Sequence, residues 1–126
     1  FNMPLELGVF LGARRFGRGR QREKACLVLD RQPYRYQQYC SDISGQDTRS
    51  HGGDVREAIR VVRDWLRNTI SESGTIIPSG SRIFDRYELF LSELPQLCSS
   101  LNLDENELIY NDYTTLTVGW LQANPW

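Results

Sequence analysis

The sequence has few of the residues on which metal sites and disulfide frameworks depend. Its 126 residues include one histidine, His51, and three cysteines, Cys26, Cys40 and Cys98. A single histidine excludes a His-rich metal site, so we predict no bound metal. An odd number of cysteines without a C-x-x-C pair argues against a disulfide framework and favours a reducing, cytoplasmic compartment.

Long apolar runs and familiar catalytic motifs are also missing. No apolar run reaches the roughly 18 residues needed to cross a membrane, and no secretory signal is visible, so we expect no membrane partner. There is no P-loop, no G-x-S-x-G elbow, no H-E-x-x-H pair and no G-x-G-x-x-G following a strand. These absences give no support to the enzyme classes that those motifs mark.

Length and charge are those of one globular domain, which we predict over residues 1–126. The formal net charge of −1 makes nucleic acid an unlikely partner, although residues 14–24 form a basic cluster. Because the first residue is Phe rather than Met, we expect the chain to be the C-terminal portion of a larger fold.

The opening segment predicts a helix from about Met3 to Arg15. Pro4 suits a first turn, and Asn2 is the better of the two capping candidates. Glu6 is expected in the first turn, where the helix dipole favours a negative charge. Two interpretations stay open: a buried helix whose Glu6 only caps it, and a helix that presents Glu6 to a ligand.

An apolar run at residues 25–29, followed by Asp30, predicts a strand buried on both faces, as in a parallel sheet. Helix, loop and buried strand in this order make one step of an α/β repeat. Ligands of such folds bind at the carboxyl ends of strands. Asp30 is therefore a candidate ligand-binding residue, with turn formation as the alternative.

The polar segment at residues 41–53 predicts a long loop after this strand. It supplies four further candidates, Asp42, Asp47, Arg49 and His51. The alternatives are turn chemistry for the aspartates and a structural hydrogen bond for the histidine. The preceding segment at residues 34–40 is predicted to be helical. Tyr34, Tyr36 and Tyr39 there could stack on a base or a partner surface.

The C-terminal half is predicted to be rich in helices. Residues 54–68 combine an Asp54–Glu57 capping box with an apolar stripe of Val55, Ile59, Val62 and Leu66, flanked by Ala58 and Trp65. A second helix over residues 83–94 should kink or restart at Pro95. A third helix is predicted to begin with a capping box at Asp104 and Glu107. The β-branched residues at 114–118 leave a strand as the alternative there.

The first thirty residues resemble a bacterial group of TIR-like proteins and the nucleoside 2-deoxyribosyltransferases. The resemblance lies in Asn2, in the Glu6-Leu7-Gly8 helix start, and in the basic loop and short strand that follow. It implies a flavodoxin-like parallel sheet with flanking helices. It also implies cleavage of the N-glycosidic bond of NAD or a nucleoside, with Glu6 as the catalytic carboxylate and NAD consumed as a substrate.

Breaking that bond passes through an oxocarbenium-like state that a carboxylate can stabilise or attack. A general acid for the departing base could be Asp30, Asp42 or His51. The competing interpretation is a non-catalytic module that senses a nucleotide or assembles with itself or another protein in a defence or signalling system. A third is a structural protein in which Glu6 is only a cap.

Overall fold

The computed structural model describes residues 2–33, 35, 47–69 and 76–126, without the side chains of Asn2, Met3 and Asp47. These residues form a helix-rich α/β structure with four α-helices and a two-stranded parallel sheet. The elements are α1 (Asn2–Phe16), β1 (Leu27–Asp30), β2 (Asp47–Ser50), α2 (Val55–Thr69), α3 (Gly80–Ser100) and α4 (Tyr110–Ala123). No helix within these ranges is long and apolar enough to cross a membrane.

The chain forms two compact units, Phe1–Gly80 and Ser81–Trp126. The first contains both strands with α1 and α2, and the second contains almost all of α3 together with α4. The prediction that residues 1–126 form a single domain stays a prediction.

The helix predicted at the start of the chain is confirmed as α1, but Glu6 is not in its first turn. The helix begins at Asn2, so the first turn ends before Glu6. Glu6 is exposed, as are Leu5 at 71% and Val9 at 66%, while Leu7 and Leu11 on the other side are half-buried. The interpretation of α1 as a fully buried helix is therefore wrong for the first unit as described.

The strand predicted before Asp30 is confirmed, and Asp30 is its last residue. Its four residues are half-buried rather than fully buried, because α2 packs against β1 and one paired strand, β2, borders it among the described residues. The polar segment predicted as one long loop contains β2, which was missed. β2 reads Asp-Thr-Arg-Ser and has no apolar residue, so its strand conformation depends on hydrogen bonding to β1.

The helix predicted at residues 54–68 is confirmed as α2, with Asp54 as its cap. The predicted capping box is only half formed, because the Glu57 carboxylate binds Arg60 and the Asp54 N–H donates to the carbonyl of His51. The stripe is displaced as well. Val55 and Leu66 are exposed, whereas Val61, on a neighbouring row of the helix, is buried.

The second unit is built around one apolar cluster shared by α3 and α4. Phe90, Leu94, Cys98, Leu116 and Trp120 are buried there, and Leu97, Leu103 and Leu108 pack against them. Leu103 and Leu108, on either side of the Asp104–Glu107 segment, thus reach the core. Burial, with the nearby carboxylates of Glu105, Asp104 and Asp112, raises the pKa of the Cys98 thiol. Cys98 is therefore a neutral core residue at physiological pH.

Two predictions about these helices are corrected. α3 does not restart at Pro95, because the core residues on both sides of Pro95 lie at intervals of four, at Phe90, Leu94 and Cys98, and Pro95 itself is exposed. The Asp104 segment forms a single 3₁₀ turn over Glu105–Glu107, and α4 starts only at Tyr110. The strand alternative for residues 114–118 is wrong, since they lie within α4.

Arg86 ties the end of α4 to α3. Its guanidinium lies 5.0 Å from the Trp120 ring centroid and 4.4 Å from that of Trp126. It also donates hydrogen bonds to the carbonyls of Asn124 and Pro125. Trp120 in turn donates from Nε1 to the Glu93 carboxylate at 2.7 Å. These polar contacts fix how α3 and α4 are paired around the apolar cluster.

Leu94→Ala should destabilise the second unit by about 2–5 kcal/mol, because Leu94 is 2% exposed and truncation leaves a cavity among its neighbours. Leu89→Ala is the matched control on the same helix. Leu89 is 47% exposed, so its loss should cost no more than about 0.5 kcal/mol. Urea unfolding followed by circular dichroism measures both. Equal losses for the two variants would contradict the assignment of this core.

Candidate functional site

A cavity of about 350 Å³ lies in the first unit, over the sheet and beside α2. We call it the strand-end groove. Its lining residues come from both strands, from the segment after β1 and from α2: Val28, Asp30, Gln32, Pro33, Thr48, Arg49, Ser50, Glu57, Arg60 and Val61. The groove therefore extends to the carboxyl end of the parallel strands, where ligands of open α/β sheets bind.

The register of the two strands decides which side chains share the groove. Val28 is paired with Thr48, and Asp30 with Ser50. Paired residues of neighbouring strands lie about 4.8 Å apart, and alternate residues point to the same face. One face of the sheet therefore carries two apolar or methyl-bearing side chains, Val28 and Thr48, followed by a carboxylate and a hydroxyl at the carboxyl end.

The wall of the groove is α2, whose charges are mutually satisfied. Arg60 donates from Nε and Nη2 to the two Glu57 oxygens, at 2.8 and 2.5 Å. It also donates from Nη1 to Asp64 at 3.3 Å. The hydrogen bonds and charge of Arg60 outweigh desolvation and lower the pKa of Glu57. The first N–H groups of α2 are occupied by the Asp54 carboxylate, so they are not open to a phosphate.

Asp30 is the most enclosed carboxylate of the groove, with 17% of its side chain exposed. Arg35 Nε lies 3.0 Å from one of its oxygens and 3.1 Å from the other. Desolvation raises the pKa of Asp30, but hydrogen bonds from Arg35 and from the backbone of Gln32 and Arg31 outweigh it, so the pKa lies below its usual value. At neutral pH Asp30 is an ionised hydrogen-bond acceptor and not a general acid.

Two hydroxyl groups of the groove are open to a ligand. Thr48 and Ser50 are half-buried, and neither hydroxyl has a hydrogen-bond partner within residues 2–33, 35, 47–69 and 76–126. Each can donate one hydrogen bond and accept others. Together with Asp30, they give the groove both donors and an anionic acceptor.

The structure brings together some of the predicted site residues and separates others. The His51 backbone N–H donates to the Asp30 carbonyl at 3.0 Å, and its Nδ1 accepts from the Gly53 N–H at 3.3 Å. His51 thus lies beside Asp30 at the carboxyl end of the sheet, but it is not among the residues that line the groove. Asp47 is paired with Leu27 at the opposite end of the sheet, about 10 Å from Ser50 along β2.

The predicted catalytic residue, Glu6, lies on the exposed surface of α1 and does not line the groove. It makes no hydrogen bond or ion pair with another described residue. Asn2 is the first residue of α1, and its side chain is outside the described part. Tyr34, Tyr36, Tyr39 and Asp42 also lie outside the described residues, as does the helix predicted around them, apart from Arg35.

The groove residues that sequence reasoning missed are Thr48, Ser50, Glu57 and Arg60. Thr48 and Ser50 lie in the segment predicted as a loop, because β2 has no hydrophobic pattern to mark it. Glu57 is predicted only as part of a cap. The predicted polar segment contains Thr48, Arg49 and Ser50 of the groove lining, but no spacing rule selects Thr48 and Ser50.

The described ranges contain no group of three or more His, Cys, Asp or Glu residues that could hold a metal ion. No protein-family model, curated protein or solved structure matches the chain. The resemblance of residues 1–30 to TIR-like proteins and deoxyribosyltransferases therefore stays a prediction. What the groove can do follows from its own contacts.

Replacing Arg35 by Gln should raise the pKa of Asp30, because the main favourable partner of its ionised form is lost. The stabilisation from this contact is present above the unfolded-state pKa, about 3.9, and is lost as the pH falls through the lower folded-state value. Carboxyl NMR titration of Asp30 measures the change. Arg56→Gln, on the exposed side of α2, is the control and should leave the titration of Asp30 unaltered.

Proposed function

We propose that the first unit is a TIR-like, flavodoxin-like α/β domain that binds a nucleotide in the strand-end groove. The observation that carries the proposal is a cavity with a carboxylate, two open hydroxyls and apolar side chains at the carboxyl end of parallel strands. Its volume of about 350 Å³ is within the range of small-molecule sites. The resemblance of residues 1–30 independently implies the same ligand class.

The lining of the groove suits the two halves of a nucleoside. Val28, Val61 and Pro33 offer apolar surface to a base. Asp30, Thr48 and Ser50 offer hydrogen bonds to a sugar. Arg60 is already paired and the start of α2 is capped by Asp54, so Arg49 is the lining cation that remains for a phosphate.

We further propose that the chain cleaves the N-glycosidic bond of the nucleotide, with Glu6 as the carboxylate that stabilises or attacks C1′. The bond to the base breaks and its electron pair leaves with the base. Water supplies the hydroxyl at C1′, and its other proton passes to solvent when nicotinamide leaves NAD, or to the departing base of a neutral nucleoside. Two facts support this step: the resemblance assigns the role to Glu6, and Glu6 has no partner among the described residues that would have to be displaced.

The state of Asp30 bears on the substrate. A purine nucleoside needs a proton on its departing base, whereas nicotinamide leaves NAD as a neutral molecule because the bound ring is positively charged. The lowered pKa of Asp30 makes it a poor proton donor at neutral pH. Among the substrates implied by the resemblance, NAD is thus the one that requires no general acid from Asp30.

A second function is favoured because Glu6 is not among the residues that line the groove. A groove without Glu6 would bind a nucleotide and leave it intact, as a sensing or assembly module does. Binding without turnover distinguishes this function from the first.

Filling the groove should abolish nucleotide binding. Ser50→Trp places a large ring at the carboxyl end of β2, and we expect calorimetry to show no binding of NAD or adenosine 5′-monophosphate to this variant. Ser92→Trp, an exposed position on α3, should bind like the unchanged protein. Undiminished binding to a folded Ser50→Trp variant would locate the nucleotide elsewhere.

Glu6→Gln should abolish nicotinamide release from NAD while leaving NAD binding and the circular dichroism spectrum unaltered, because the amide cannot stabilise the developing cation as a carboxylate does. Glu88→Gln, an exposed glutamate on α3, is the control. Chromatography of the reaction products measures release. Unaltered release by folded Glu6→Gln would exclude Glu6 from the chemistry, and no release by the unchanged protein, with binding intact, would favour the sensing module.

A further inference from the structure

Asp30 and Ser50 form a matched pair for a vicinal diol. They occupy directly paired positions on parallel strands, with both side chains in the groove. A carboxylate has about four lone-pair positions on its two oxygens. Arg35 and the N–H groups of Gln32 and Arg31 take three of them. One hydroxyl of a ligand can therefore donate to Asp30, while the neighbouring hydroxyl forms a hydrogen bond with the Ser50 hydroxyl.

The negative charge of Asp30 determines which ligand groups the pair can bind. Arg35 and the backbone N–H groups hold the carboxylate ionised and fix its orientation. An ionised carboxylate accepts hydrogen bonds and repels anions. The groove end is therefore suited to ribose hydroxyls and unsuited to a phosphate group at the same sugar position.

We propose that the strand-end groove selects ribonucleotides over 2′-deoxynucleotides by binding the ribose 2′- and 3′-hydroxyls with Asp30 and Ser50. This inference rests on the proposed nucleotide binding and adds the class of sugar. A site built to hydrogen-bond a substrate hydroxyl discriminates against the analogue that lacks it, because one hydrogen bond to a charged acceptor is then lost.

The expected discrimination is about 10- to 100-fold in Kd, the range for one hydrogen bond to a charged group. Adenosine 5′-monophosphate and its 2′-deoxy analogue are the probes, since they differ by a single hydroxyl. A third probe, adenosine 2′,5′-bisphosphate, should bind more weakly than adenosine 5′-monophosphate because its 2′-phosphate meets the Asp30 carboxylate.

Calorimetry with the full chain tests the inference. The unchanged protein should prefer adenosine 5′-monophosphate to the 2′-deoxy compound, and Asp30→Asn should lose most of that preference by weakening the ribonucleotide alone. Asp85→Asn, exposed on α3, is the matched control and should keep the full preference. Ser50→Ala is the second variant, should Asp30→Asn fail to fold, and it should reduce the preference several-fold.

The outcomes separate this inference from the function beneath it. Equal affinities of the unchanged protein for the two monophosphates would overturn the diol inference and leave nucleotide binding in place. A preference that survives in folded Asp30→Asn, or that survives undiminished in Ser50→Ala, would also overturn it. If none of the three probes binds, the proposed function is overturned together with the inference.

Discussion

The parallel pairing of β1 with β2 is the constraint on which the first unit depends. It places Asp30 beside Ser50 and Val28 beside Thr48. The pairing continues beyond the strands, because the N–H groups of His51 and Gly52 donate to the carbonyls of Asp30 and Arg31. It thereby also determines where the chain turns into α2. A shift of β2 by one residue would move Thr48 and Ser50 to the opposite face of the sheet, away from Val28 and Asp30.

Charge pairing around the groove determines which of its groups remain available. Arg35 is committed to Asp30, and Arg60 to Glu57 and Asp64. Among the described groove residues, the uncommitted donors include the hydroxyls of Thr48 and Ser50 and the guanidinium of Arg49, which donates only to the Thr48 carbonyl. The principal acceptor is the ionised carboxylate of Asp30. The end of the groove at Asp30 therefore favours a neutral sugar hydroxyl over an anion.

Glu6 and the strand-end groove belong to different elements of the first unit. The residue that the resemblance marks as catalytic is on the exposed side of α1, whereas the groove with ligand-binding chemistry is formed by the strands and α2. Glu6 makes no hydrogen bond or ion pair with another described residue. The two parts of the proposal, nucleotide binding in the groove and bond cleavage by Glu6, therefore rest on different residues.

Local sequence features predicted the helices α1 and α2 and the strand β1. Asn2 and Pro4 indicated the start of α1, helical spacing and the Asp54 cap indicated α2, and the apolar run indicated β1, because local propensity and burial patterns act over short distances. Only the tertiary structure decided that a polar tetrapeptide becomes β2, that Arg35 holds Asp30, and that Val61 rather than Val55 faces inward. Strand pairing joins residues that are far apart in sequence, and Asp-Thr-Arg-Ser carries no hydrophobic pattern. The groove therefore depends on the strand β2, which the residues of β2 do not predict by themselves.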